Sequence, residues 1–262
     1  MGPSLLNITI GIAILAAIFA VLQWLWPSVP NQKTIRPGML SDLGYFLLTP
    51  LITRNLTRIS VALALIPVAW IYGTDLQGLT QGHGVVGAQS LTMQAIQIVV
   101  ISDFLRYWVH RWFHTGWLWR VHAIHHSSQT MDWLASVRVH PINDVVPALL
   151  TVPPLIIAGY NPAAVAAFLP FLTFYAIMIH ANLRWDYGPL RFVLASPVFH
   201  RWHHTKLAEG QDKNFAGLFP LWDLLFGTFY MPRRQPTDFG VDDPVPGHIF
   251  GQLIYPFLSS KR

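Results

Sequence analysis

HRWFHTGWLWRVHAIHH, residues 110–126, and FHRWHH, residues 199–204, decide how this chain is read. Together they carry eight of its 12 histidines: His110 and His114, then His122, His125 and His126, then His200, His203 and His204. On a helix, positions i, i+3 and i+4 share one face, so each cluster projects its imidazoles toward one point. Neutral imidazole is the commonest metal ligand among side chains. Eight converging imidazoles are about twice what one tetrahedral site uses, which points to two metal ions.

Around these clusters the chain is apolar. Of 262 residues, 53% are hydrophobic and 11% charged, against about 25% charged in a soluble domain. Mean hydropathy is +0.41. The run Leu5–Trp26 carries no charge and is long enough to cross a hydrocarbon core of ~30 Å. The stretch before it holds no Lys or Arg, which favours an uncleaved membrane helix over a signal peptide. Further spans are expected at Ile59–Tyr72, Leu91–Val109, Val145–Ala158 and Ala163–Ile179, the second starting earlier or re-entering. Gly159, Tyr160, Asn161 and Pro162 separate the last two as a turn, giving a helical hairpin. The expectation is an all-α, polytopic membrane protein: four to five membrane helices and a histidine-rich helical cap holding a di-metal centre. Residues 1–262 read as a single membrane-embedded domain.

Net charge is +5 and the isoelectric point about 9.7, but the placement of the charge argues against nucleic acid. With the N-terminus outside, all 17 basic residues fall on one side of the expected membrane. The positive-inside rule makes that side cytoplasmic, and every clustered histidine lies there too. Trp112–Asp144 and Asn182–Arg262 would then form the cap. Cysteine is absent, so this chain supplies no disulfide, thiolate zinc site or iron–sulfur cluster.

The inventory narrows the metal chemistry. A bundle-type carboxylate di-iron site needs several glutamates, and the chain has only Glu209. Haem uses one or two axial ligands, and a closed zinc site four, leaving most of the histidines unexplained. A histidine-rich di-metal centre uses them all. Imidazole suits Fe, Zn or Cu, so spacing alone leaves the metal open.

Four segments, HRWFH, RVHAIHHSS, FHRWHH and KNFAGLFPLWDLLFGTFY, together resemble the fatty acid hydroxylase/sterol desaturase superfamily of membrane-bound di-iron oxygenases. The resemblance covers residues 91–230. It implies that the eight clustered histidines bind two Fe ions, with Zn able to substitute on expression, and that His180 matches the family's isolated histidine. His140, in RVHP, is similar to a position that bacterial members often fill with histidine, and stands as a further candidate ligand. The chain departs from relatives at Thr115, Gln129 and Asn143, where acids are common.

The implied activity is O2-dependent hydroxylation, or alternatively desaturation, of a C–H bond in a membrane lipid such as a sterol, fatty acyl chain or carotenoid. The chain has no dinucleotide fingerprint. Electrons are therefore expected from a separate ferredoxin, or cytochrome with its reductase, at a bacterial inner membrane. A histidine-rich metal transporter or metal-buffering protein is the rival reading, although such a path would place ligands near the midplane of the membrane. A zinc-stabilised interaction protein has no evident use for two metals.

Metal-bound histidines usually donate their second ring N–H to a carboxylate or carbonyl. Asp103, seven residues before His110 on the same helical face, is the candidate orienting carboxylate. Asp132, Asp144 and Asp223 read as helix caps, and His83 and His248 as surface residues.

Overall fold

The computed structural model describes residues 4–258, and among these every regular element is helical, with only two isolated β-bridges. Helix α1 (Leu5–Leu25) starts at Ser4, whose Oγ accepts the Asn7 N–H at 3.2 Å. Helix α2 (Met39–Leu48) runs through a π-helical turn, Thr49–Thr53, into α3 (Arg54–Ile71). The wider turn takes in Pro50, whose missing N–H and ring would interrupt a regular α-helix. Thus the second apolar helix extends unbroken over Met39–Ile71, well ahead of the run expected from Ile59. It and α1 are long and apolar enough to cross a membrane. Ile10, Ile14 and Val21 of α1 and Leu56, Ile59 and Leu63 of α3 point outward.

Helix α4 (Leu91–Phe113) ends in the first histidine pair and is followed by α5 (Gly116–His126). The expected hairpin forms from α6 (Pro141–Ile157) and α7 (Leu169–His180), both shorter apolar helices. Its tip turns at Gly159, with φ +98°, where a Cβ would collide with the His83 carbonyl. His83 is only half-exposed: its backbone N–H donates to the Gly159 carbonyl at 3.0 Å, and its Nε2 meets the Ile156 carbonyl at 3.1 Å. The remaining helices used below are α8 (Pro197–His203), α9 (Leu221–Leu225) and α10 (Ile249–Ile254).

Separate clusters knit these helices together. Phe19 of α1 stacks between Trp133 and Phe174 at 5.7 and 5.6 Å. Leu65 and Ala69 of α3 pack on Ile156, while Ala95 and Ile98 of α4 pack on Leu155 and Tyr160. A buried ion network ties α2 to the segment after α5. Asp42 bridges Arg36 (2.8 Å) and Arg138 (2.6 Å), and Arg36 also donates to Asp132 at 2.7 Å. Four charges meet here away from water, an arrangement stable only when each is paired.

Candidate metal centre

Each histidine box sits at a helix end whose local sequence sets its direction. His110 lies in the last turn of α4 and His114 at its C-cap. Gly116, at φ +53°, starts α5 immediately afterwards, turning the chain so that His122, His125 and His126 fold back toward the first pair. Ser196 caps α8 by accepting the Phe199 N–H at 3.1 Å, with Pro197 in the first turn, and the helix ends in His200, His203 and His204. His180 is the last residue of α7.

The structure gathers these nine histidines into two groups. His110, His114, His122, His126 and His203 form one, and His125, His180, His200 and His204 the other. Within each group, one ligand atom per residue lies within 4.8 Å of all the others. The two H-x-x-H-H boxes are therefore divided in opposite senses. The i, i+4 pair His122/His126 serves the first group, and the residue between, His125, crosses to the second. In α8 the pair His200/His204 serves the second group and His203 crosses to the first. Each box contributes two ligands to one side and one to the other. The seam between the groups is the stacked pair His126–His204, with ring centroids at 4.3 Å.

Six rings are oriented from outside through Nδ1. His110 donates to the Phe215 carbonyl (2.7 Å), His122 to Asn143 Oδ1 (2.7 Å) and His125 to the Arg138 carbonyl (3.2 Å). His180 donates to the Ala176 carbonyl (2.6 Å), His203 to the Lys213 carbonyl (2.8 Å) and His114 to Asp212 Oδ1 (3.1 Å). With the proton spent outward, Nε2 presents a lone pair inward. Yet His110 and His122 face each other Nε2 to Nε2 at 2.9 Å, and His125 and His180 do so at 3.1 Å. Nε2 of His114 and of His203 is buried with no partner. Lone pair against lone pair is repulsive unless a cation lies among them, so the donor set fits a metal in each group. Burial, and then mutual repulsion among the rings, holds His122, His125, His126, His200, His203 and His204 well below the ordinary imidazole range. They are neutral at physiological pH, the form that ligates.

Residues after the third box build the outer wall. Asp223 of α9 accepts the N–H groups of Phe215 (2.8 Å) and Ala216 (2.9 Å). Asp103 accepts those of Leu218 (3.0 Å) and Phe219 (2.9 Å) and the Trp222 indole (3.0 Å). Two carboxylates thus pin the strip 215–219, which presents the Phe215 carbonyl to His110. Asp103, expected to orient His110 or another ligand, bonds none of the histidines directly: it acts on the strip, and a backbone carbonyl takes the His110 proton. Asp223 holds the same strip instead of merely capping a helix.

His140 joins neither group. It caps α6, its Nδ1 accepting the Ile142 N–H at 3.2 Å while Nε2 meets the Leu253 carbonyl at 3.1 Å, so both ring nitrogens are engaged. Asp132 caps the turn Trp133–Val137, and His248 caps α10 through the Gly251 N–H. Asn143, one of the positions at which the chain departs from relatives, does stand in the outer shell: its Oδ1 is the partner of His122.

Two openings reach the centre. A polar pocket of about 330 Å³ touches His114, His126 and His203 and is rimmed by Lys206, Asp212 and Asp242. An apolar cavity of about 850 Å³ reaches His180 and is walled by α1, the α2–α3 helix, α4, α6 and α7.

A model of the fatty acid hydroxylase family matches residues 95–228, half of the chain. Among curated proteins, the ornithine lipid hydroxylase OlsE of Rhizobium tropici is 35% identical over 176 residues, 66% of this chain and 53% of that protein. The alkylglycerol monooxygenase of Danio rerio is 33% identical over 160 residues, 60% of this chain and 35% of that protein. Methylsterol monooxygenase 1-3 of Arabidopsis thaliana is 26% identical over 160 residues, 59% of this chain and 54% of that protein. The chain therefore spans about half or less of the length of these relatives. No solved structure matches it significantly.

Proposed function

Because the chain belongs to the fatty acid hydroxylase family, we propose that it is a membrane-bound, O2-dependent oxidoreductase that hydroxylates a C–H bond of a lipid, with nine histidines holding two iron ions. The observation that carries this reading is the set of inward-facing Nε2 contacts within each histidine group, two in the first and three in the second. Relatives named for ornithine lipid, alkylglycerol and methylsterol oxidation support a lipid as substrate.

When bound, the irons supply activation of dioxygen and the oxidising power to remove hydrogen from an unactivated carbon. The chain supplies the ligands, their orientation and the approaches to the site. His110, His114, His122, His126 and His203 hold one ion, and His125, His180, His200 and His204 the other. The carbonyls of Phe215, Arg138, Lys213 and Ala176 and the amide of Asn143 fix ring orientation by accepting Nδ1–H, which also makes each Nε2 a stronger donor. The apolar cavity offers the lipid a dry approach that ends at His180. The polar pocket beside His114 offers the opposite approach, from which protons and electrons can be delivered. Electrons come from a separate ferredoxin, or cytochrome with its reductase.

In this reading α1, the Met39–Ile71 helix, α4 and the α6–α7 hairpin lie in a bacterial inner membrane, with both histidine groups and the described basic residues outside these helices on the cytoplasmic side. The test is metal analysis and Mössbauer spectroscopy of detergent-purified protein reconstituted with iron. Two irons per chain in an antiferromagnetically coupled pair is the expected result. Failure to take up a pair of metals with either iron or zinc overturns the proposal.

A further inference from the structure

The apolar cavity is not apolar throughout. At the end nearest the histidines it is lined by Arg54, Arg106 and Asp144. None of the three makes a side-chain hydrogen bond or an ion pair within 4 Å among the described residues, although the charges of both arginines are felt at Asp144. Asp103, which also lines the cavity, is by contrast fully engaged with Leu218, Phe219 and Trp222. Asp103 and Asp144 set two carboxylates against the two guanidiniums, but Asp103 spends its oxygens on those three partners, so the arginines keep their donors free among the described residues. Both arginines line the cavity yet are exposed, and guanidiniums with no hydrogen-bond partner beside an apolar cavity suit an anion from outside the chain.

We infer that this end of the cavity is a headgroup site: Arg54 and Arg106 together bind the phosphate or carboxylate of a lipid whose hydrocarbon chain fills the rest of the cavity. Asp144 lies beside them as an acceptor for a hydroxyl or ammonium on the same headgroup. Helix geometry sets the scale. Asp144 and Ile156, both lining residues of α6, are about 18 Å apart along the axis at 1.5 Å per residue, more than half a hydrocarbon core of ~30 Å. Arg106 lies one turn, roughly 6 Å, before His110 on α4. Asp144 follows Asn143, the partner of His122. The charged end is therefore level with the histidines, and the far end of the chain is remote from them. The carbon offered for oxidation belongs to the headgroup or to the first carbons of the chain. This last step rests on the lipid-oxidation reading; the binding site itself does not.

Arginines at a membrane face also contact bulk lipid phosphates, and that alternative sets the controls. Arg58, one turn beyond Arg54 on α3, does not line the cavity. The experiment measures equilibrium binding of three lipids with one chain length to the full-length protein in neutral detergent: oleate, oleoyl lysophosphatidylglycerol and monooleoylglycerol. Both anionic probes should bind at least about tenfold more tightly than the neutral one, as expected for charge-assisted hydrogen bonds to guanidinium. The tighter of the two tells carboxylate from phosphate. Arg54→Gln with Arg106→Gln should erase that preference while leaving monooleoylglycerol binding unchanged, which also reports an intact fold. Arg106→Lys, keeping the charge, should retain a reduced preference, and Arg58→Gln the whole of it. Val152→Trp, which intrudes on the cavity wall, should weaken all three probes. Equal binding of charged and neutral probes overturns the inference, as does a preference that survives the double substitution or falls equally with Arg58→Gln. The assay needs no turnover, so a chain that binds anionic lipid but takes up no metal pair would break the oxygenase reading and leave this one standing.

Discussion

The two histidine groups draw on the same kinds of box, yet they live in different surroundings. The five-histidine group borders the polar pocket, and His114 in it leans on Asp212, whose side chain is 74% exposed. The four-histidine group is buried throughout and meets the apolar cavity at His180. The opposite division of the two H-x-x-H-H boxes produces this asymmetry. It gives each group three ligands from α5 and α8 together, and leaves the rest to whichever helix end is near. The cap-side end of α4 brings two more histidines to one group, and the end of α7 brings one to the other. One group therefore faces the polar pocket, and the other the apolar cavity.

Ligand number is the sharpest way to break the comparison. Four histidines are the minimum for a closed tetrahedral site, and five leave one to spare. His180→Ala or His125→Ala should lower metal content from about two per chain to about one and reduce lipid oxidation to background. His114→Ala should keep close to two metals, with the pair merely weakened. Elemental analysis of the three variants, purified side by side, decides the point. Equal losses from both groups would mean that they act as one undivided cluster.

The next largest effect belongs to the ion network behind the four-histidine group. Arg138 offers its carbonyl to His125 while its guanidinium holds Asp42. Arg138→Met leaves Asp42 buried with half its compensation, and breaking such a pair costs roughly 3–5 kcal/mol. The melting temperature should fall substantially, and metal should be lost from the four-histidine group first. Retention of both metals at an unchanged melting temperature would remove Arg138 from the account. Smaller again is Asn143→Ala, which takes away the acceptor for His122. Loss of such an outer partner weakens metal affinity by about 10–100-fold. Chelator titration should find that loss in the five-histidine group alone.

These contacts separate what was legible in the sequence from what was not. The histidines of the three boxes could be picked out because helical spacing alone aligns them. How they divide could not, because that depends on the rotation of α5 against α8, which no local pattern records. Asp103 was traced to the correct helical face, but its partners were not legible, since its three acceptor contacts come from residues more than a hundred positions away. His140 precedes a proline and begins a helix, and that local role consumed both ring nitrogens. Arg54 and Arg58 interrupt the hydropathy of the second apolar helix, so its start at Met39 was hidden although the backbone continues through the π-turn. The carbonyls of Phe215 and Lys213 had no signature at all, because any residue can supply one. Their positions follow from Asp103 and Asp223, which grip the strip, and from Asn214 at φ +59°, whose side chain bonds the backbone of Phe199 and Tyr230.

The smallest effect is expected where a histidine lies closest to the centre in sequence without belonging to it. His140 is buried and flanked by metal-site residues, so its removal invites the prediction of lost metal. The geometry says otherwise, because its Nδ1 caps α6 and its Nε2 reaches the Leu253 carbonyl. His140→Asn keeps a capping side chain and gives up only the contact to the Leu253 carbonyl. Metal content should remain at about two per chain, and stability should fall by about 1 kcal/mol, the usual scale for a single cap or neutral hydrogen bond. The same substitution at His125, also buried, should cost a metal ion. If His140→Asn lowered metal content as His125→Asn does, the boundary drawn around the nine ligands would be wrong.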